Sequence, residues 1–165
     1  MKRYMPLMAV LVLVALGVTS FMLTRLGHAQ TQIQQELAAQ AELKDFWARQ
    51  TLPGVKPGVV YDEIINTGDI DLTFKAVTSG VANRIEIHDH INDNGIMRMR
   101  KVDELVIKAH ESLVLKPGGK HIMLYERTSE LLPGENHDFT LFFDHDVTIT
   151  TTAPVFAVGK KPVFE

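Results

Sequence analysis

The chain has 165 residues, enough for one domain with an extension, and its 45% hydrophobic content is ordinary for a globular protein. It has no cysteine, which excludes disulfides and all thiol chemistry. Lys and Arg total 17 against 20 Asp and Glu, and three of the basic residues but none of the acidic ones lie in residues 1–29. The rest of the chain is therefore acidic, which argues against a nucleic-acid partner.

Residues 1–29 are predicted to be an export segment. Two basic residues precede an apolar run from Met5 to Leu23, and the small-x-small triplet at residues 27–29 fits a signal-peptidase site. The run is long for a cleaved signal, so cleavage and retention as a membrane anchor through residues 5–23 both stay open. In either case the basic end stays in the cytoplasm, and we expect the rest of the chain in the periplasm.

Residues 30–46 are predicted to form a helical spacer before the domain of residues 47–165. The segment is rich in Gln, Ala, Leu and Glu and has no Gly or Pro, which favours helix. Its apolar positions follow a helical stripe only loosely, so a docked helix and a frayed tether fit the sequence equally well.

From Thr51 onward the pattern predicts an all-β domain. Short runs rich in Val, Ile, Thr and Phe alternate with turn clusters such as Pro53-Gly54 and Asn94-Gly95. Strands of this number and spacing are typical of a Greek-key sandwich or barrel. The candidate strands are residues 58–66, 72–79, 84–91, 96–101, 104–108, 111–115, 120–126, 138–143, 146–152 and 154–158.

Histidine and methionine concentrate between residues 88 and 123. All methionines outside the export segment lie there, with four histidines: Met97, Met99, Met123, His88, His90, His110 and His121. Core methionines should be scattered among strands, so this concentration indicates metal ligation. Thioether sulfur is a soft ligand and imidazole is intermediate, so a His/Met set selects Cu(I) over Mg, Ca or Zn. Without a cysteine thiolate, a blue-copper electron-transfer site is excluded.

Strand periodicity groups these side chains into pairs. In His121-Ile122-Met123 the histidine and the methionine leave the same face of a strand. For the hairpin of residues 84–101, a two-residue turn at Asn94-Gly95 sets Ile91 opposite Arg98, which is a poor match. A four-residue loop over residues 92–95 pairs charges and apolar groups better, so we predict that register.

The predicted register places His88 opposite Met99 and His90 opposite Met97. The two His/Met pairs then lie side by side on one face of the hairpin. Either pair could complete a site with His121 and Met123.

The spacing resembles that of the periplasmic copper chaperones of the PCuAC type. Their signature is a His, ten residues, a Met, twenty-one residues and His-x-Met, and His88, Met99 and His121-Ile122-Met123 match it without adjustment. The stretches at residues 94–100 and 115–123 look alike too, as does Phe46-Trp47-Ala48-Arg49. The similarity covers residues 47–154.

The resemblance implies a cupredoxin-like β-sandwich and a Cu(I) site made of His88, Met99, His121 and Met123. It also implies delivery of Cu(I) to the copper centre of a respiratory terminal oxidase, or to another copper-transfer protein. A copper storage or homeostasis accessory with the same site and no oxidase partner is the alternative. Some members bind Cu(II) through a His/Met-rich tail, which residues 158–165 lack.

Two further expectations follow. The chain has no Ser-His-Asp set, phosphate loop or paired carboxylates near the cluster, so we expect no enzyme. Because a chaperone must release its metal by ligand exchange, we expect the site to be exposed at one edge of the sandwich. We expect His90 and Met97 to pack at the rim of the site. We expect three other histidines to be solvated or hydrogen-bonded outside it: His110, His137 and His145.

Overall fold

The computed structural model describes residues 7–160. A single helix and eleven strands occur in this range: α1 (Leu7–Gln40), β1 (Ala41–Leu43), β2 (Trp47–Arg49), β3 (Gly58–Asn66), β4 (Leu72–Ser79), β5 (Ala82–Asp93), β6 (Ile96–Val102), β7 (Leu105–Ile107), β8 (Ser112–Leu115), β9 (His121–Arg127), β10 (Asn136–Phe143) and β11 (Thr148–Phe156). The all-β prediction for the domain is confirmed.

The described chain divides into two units, the helical residues up to Glu36 and the β domain from Leu37 onward. Among the residues whose side chains are described, no helix is long and apolar enough to cross a membrane. The predicted export segment and its apolar run from Met5 to Leu23 lie largely outside those residues.

The predicted helical spacer is too long at its C-terminal end. The helix ends at Gln40, and Ala41 begins strand β1, which pairs antiparallel with the end of β3. Ala41 and Phe46 are buried in the core of the β domain. Burial of these apolar side chains therefore overrides the helix propensity of the segment.

The strands form one unclosed sheet in the order β6-β5-β9-β3-β2-β11-β10-β4-β7, and β1 and β8 also pair with β3. The two strands predicted at residues 146–152 and 154–158 are one strand, β11. Pro154 lies within β11 where the strand changes partner. It is opposite Asn136 of β10, and the next residue, Val155, pairs in parallel with Ala48 of β2. Because proline has no N–H to donate, such a change of partner is a position where a strand tolerates it.

Apolar side chains cover both faces of the central part of the sheet. The inner faces of the strands build the main core, in which Phe74, Phe139 and Ile122 are fully buried. A second, smaller cluster consists of Trp47, Val59, Tyr61 and Met123. This second cluster includes a predicted copper ligand.

Candidate metal site

The hairpin of β5 and β6 has the register that the sequence analysis rejected. His90, and not His88, lies opposite Met99, and His88 lies opposite Lys101. Asn94 and Gly95 have φ values of 53° and 87°, the pair of positive angles that a two-residue type I′ turn requires. The prediction of a four-residue loop over residues 92–95 is therefore wrong.

The reason is that neither face of β6 is buried. Residues 96–101 are all exposed, so matching of apolar pairs has little weight there. The turn chemistry of Asn94-Gly95 sets the register instead. Arg98 still forms an ion pair within the hairpin, because its Nε lies 3.0 Å from Asp93 Oδ2.

The pairing of β5 with β9 brings the other three predicted ligands together. His88 lies directly opposite His121, and their ring centroids are 6.0 Å apart. Glu86 lies opposite Met123 in the neighbouring row, and Met123 is also paired with Val59 of β3. His88, His121 and Met123 thus leave the same face of the sheet on adjacent rows.

A cavity of about 240 Å³ opens on this face, and we call it the outer cavity. Four of its lining side chains are candidate ligands, and two others flank them: His90, Met99, His121, Met123, Arg49 and Tyr61. Met99 is 45% exposed, whereas Met123 is 7% exposed. The cavity therefore runs from an exposed thioether to a buried one.

His88 is buried, does not line the outer cavity and is held by a chain of charged groups. Its Nε2 donates to Glu86 Oε2 at 2.8 Å, since a carboxylate can only accept. Glu86 accepts from Arg84 at 2.6 Å, and Arg84 also pairs with Glu126 at 3.2 Å. The bond to Glu86 fixes the tautomer and leaves a lone pair on His88 Nδ1, which is buried and has no partner.

The backbone carbonyl of Gly119 fixes the tautomers of the two other histidines. His121 Nδ1 donates to it at 2.8 Å and His90 Nδ1 donates to it at 3.1 Å. Because the carbonyl only accepts, Nε2 of each ring carries the lone pair. The rings of His90 and His121 are 5.3 Å apart.

Electrostatics favour neutral imidazole at His121. Burial lowers the pKa of His121 below its ordinary value of 6.5, and the charges of His90, His88 and Arg49 lower it further, against the raising effect of the bond to Gly119. The hydrogen bond from His88 is the main cause that lowers the pKa of the Glu86 carboxyl. Neutral imidazole and ionised carboxylate are the states that metal ligation through His88 and His121 requires.

The expectation of an edge site holds for only part of the ligand set. Met99 lies on the edge strand β6, but His88 and Met123 are each only 7% exposed and His121 is only 4% exposed. The loop before β3 and the turn before β9 lie over this face, since Val55, Pro57 and Pro117 also line the outer cavity. The site is deeper than the sequence analysis predicted.

Met97, His110, His137 and His145 do not line the outer cavity. Met97 is 57% exposed and paired with Asn92. His110 bonds to Asp69 at 3.0 Å and His137 approaches Glu135 at 3.3 Å, while His145 is near Asp144. In the described part of the chain, no group of three His, Asp or Glu side chains is arranged to hold a metal by itself.

The sequence did not predict three groups that contact or line the site: Glu86, the Gly119 carbonyl and Arg49. Glu86 could have been found, because it lies two residues before His88 and so on the same strand face. The Gly119 carbonyl and the Arg49 guanidinium reach the site through loop geometry and through the pairing of β2 with β3, which no local pattern encodes.

A family model matches residues 41–155, well over half of the chain. The chain belongs to the LpqE-like family. This LpqE-like protein is 36% identical over 102 residues to "Uncharacterized protein RP573" of Rickettsia prowazekii, an alignment that covers 59% of this chain and 56% of that protein. It is 27% identical over 143 residues to "Putative lipoprotein Lxx21020" of Leifsonia xyli subsp. xyli, covering 86% and 84% of the two chains.

Solved structures share the fold. The "Copper-bound PCuAC domain from PmoF2" superposes with a TM-score of 0.61 at 20% identity, over 72% of this chain and 93% of that domain. "CuI-DR1885 from Deinococcus Radiodurans" superposes with a TM-score of 0.60 at 23% identity, over 74% and 84% of the two chains. The cupredoxin-like fold and the resemblance to the PCuAC type are thereby confirmed.

Proposed function

We propose that this LpqE-like protein is an exported metallochaperone that binds one Cu(I) through His88, Met99, His121 and Met123. The observation that carries the proposal is the buried Nδ1 of His88, which has no partner while Glu86 holds the opposite side of the ring. An unpartnered buried nitrogen costs free energy, and a cation bound there removes that cost.

The donor set supports Cu(I) as the cargo. His88 Nδ1 and His121 Nε2 each offer a lone pair, and Met99 and Met123 add two thioethers that bind hard cations poorly. Two of the similar structures are described as carrying copper. The protein acts by binding and transfer, without catalysis.

We propose export through the N-terminal apolar run from Met5 to Leu23. The relative from Leifsonia is named as a lipoprotein, which supports a location outside the cytoplasm. With the two basic residues that precede it, the apolar run is the proposed means of export to the periplasm.

Delivery to the copper centre of a respiratory terminal oxidase, or to another copper-transfer protein, is the proposed task. The exposed thioether of Met99 lies where an acceptor ligand can reach the metal. Storage is the second candidate, because the burial of His88 and Met123 favours retention of the metal.

Competition titration of the protein tests the site. We expect one Cu(I) per chain, bound far more tightly than Zn(II) or Ca(II), because two thioethers contribute little to a harder ion. Tighter binding of Zn(II), or no copper at a ratio of one to one, contradicts the assignment.

Transfer from the copper-loaded protein to an oxidase copper-centre fragment separates delivery from storage. Delivery predicts that the fragment gains copper faster than the loaded protein releases copper by spontaneous dissociation. Storage predicts transfer that is no faster than spontaneous dissociation.

A further inference from the structure

We propose that His90 is a transient copper ligand, through which Cu(I) passes between solvent and the buried ligand His88. The inference rests on the proposed Cu(I) function and adds a residue that the four-ligand set omits. It starts from a conflict within the site: a metal that must exchange has three ligands, His88, His121 and Met123, that are at most 7% exposed, and His88 does not line the outer cavity.

His90 lies where it can resolve that conflict. It lines the outer cavity together with Met99, His121 and Met123, whereas His88 does not. In the observed register it is paired directly with Met99, the exposed ligand. Its ring is 5.3 Å from that of His121, which belongs to the final ligand set.

The lone pair of His90 is free for the metal. Nδ1 is committed to the Gly119 carbonyl at 3.1 Å, so Nε2 carries the lone pair. The same carbonyl holds His121 in the matching tautomer. The four candidate ligands that line the cavity therefore offer an outer set of two imidazoles, from His90 and His121, and two thioethers, from Met99 and Met123.

The outer set and the final set of four proposed ligands share Met99, His121 and Met123. Copper can move from the outer set to the final one by exchanging His90 for His88, while the three shared ligands stay bound. Release to an acceptor follows the same steps in reverse. A ligand that is present only in the intermediate lowers the barrier in both directions and leaves the end states unchanged.

The test compares the wild type with His90→Gln, which keeps a donor for the Gly119 carbonyl but removes the imidazole. Association is measured by mixing the protein with the acetonitrile complex of Cu(I), and dissociation is measured by mixing the loaded protein with the chelator bathocuproine disulfonate. Both measurements use stopped flow without oxygen. We expect the association and dissociation rates to fall by a similar factor of about ten or more, while the Kd changes by less than about threefold.

Matched variants separate ligation from shape. His90→Met restores a Cu(I) donor and should recover the rates, whereas His90→Leu should stay slow. His137→Gln, the same change at a histidine bonded to Glu135, should leave both rates unaltered. Equal unfolding midpoints for the His90 variants show that the fold is intact.

Two results overturn the proposal. Unchanged rates in His90→Gln make His90 a rim residue, and a Kd raised about tenfold or more makes it a permanent ligand. The equilibrium titration of the wild type tests the proposed function separately. If the wild type does not bind Cu(I) in that titration, the proposed function itself is refuted.

Discussion

Met123 has two roles in the structure, as a packing residue and as a proposed ligand. It is buried in the cluster of Trp47, Val59 and Tyr61 and also lines the outer cavity. A substitution by leucine, which has a similar volume, can therefore remove the sulfur while keeping most of the packing.

We expect Met123→Leu to lower Cu(I) affinity about tenfold or more, which corresponds to about 1.4 kcal/mol, because it removes a thioether donor. The free energy of unfolding should change by less than about 1.5 kcal/mol, since leucine keeps the volume and apolarity. Competition titration and urea denaturation measure the two effects.

Met97→Leu is the matched control, because Met97 is 57% exposed and lies outside the cavity. It should change neither quantity. If Met123→Leu lowers stability and leaves copper affinity intact, Met123 is a packing residue only.

The pKa of His121 predicts how copper binding responds to acid. Protons compete with the metal for imidazole, and burial has lowered the pKa of His121 below 6.5. We therefore expect proton competition at His121 to begin at a lower pH than for a free imidazole.

Arg49→Gln removes one of the positive charges that lower the pKa of His121. It should shift the loss of Cu(I) toward higher pH, while Lys75→Gln, an exposed change on β4, should not. Titrations across pH 5 to 8 measure this, and identical profiles for Arg49→Gln and the wild type refute the electrostatic account.

At the level of secondary-structure elements, the β5–β6 hairpin sets the position of Met99. Gly95 has a φ of 87°, which an L-residue adopts at a cost of about 1–2 kcal/mol. Because β6 is an edge strand with residues 96–101 exposed, we expect Gly95→Ala to fray this strand locally.

Copper affinity of Gly95→Ala should fall about fivefold or more, because Met99 leaves the cavity when β6 frays. Amide hydrogen exchange of β6 should rise at the same time. Gly80→Ala is the control, since Gly80 lies in a turn, has no positive φ and has open space for a Cβ atom. Equal copper affinities for the two variants argue against a role of the turn.

At the level of the whole molecule, Asp62 couples stability to pH. It is fully buried on β3, its Oδ1 accepts from Asp45 N–H at 3.1 Å, and its Oδ2 has no partner. Burial is the main cause that raises the pKa of Asp62 from 3.8 to about 7.

Between these two values the folded state binds one more proton than the unfolded state, so stability falls as pH rises. We expect the unfolding free energy of the wild type to drop from pH 5 to pH 8, relative to Asp62→Asn, by on the order of 2 kcal/mol. Urea denaturation of both proteins at both pH values checks this, and the comparison removes the contribution of titrating groups that do not interact with Asp62. Parallel pH profiles contradict it.

The sequence alone determined the fold class and the candidate ligand set. Period-two patterning and turn residues are local, so the strands and the shared face of His121 and Met123 could be predicted. The same periodicity predicted that His88 and His90 point to one side of β5. The spacing of the four predicted ligands is likewise a property of the chain, and it carried the resemblance.

The tertiary structure decided the rest. Because residues 96–101 of β6 are exposed, side-chain matching has little weight in the hairpin register, and the positive φ values of Asn94 and Gly95 place His90, and not His88, opposite Met99. The depth of His88 and the tautomers set by Glu86 and the Gly119 carbonyl depend on the pairing of β5 with β9 and on covering loops. Such long-range contacts arise only when the strands meet, because hydrogen-bond partners and burial are properties of the packed chain and not of any local pattern.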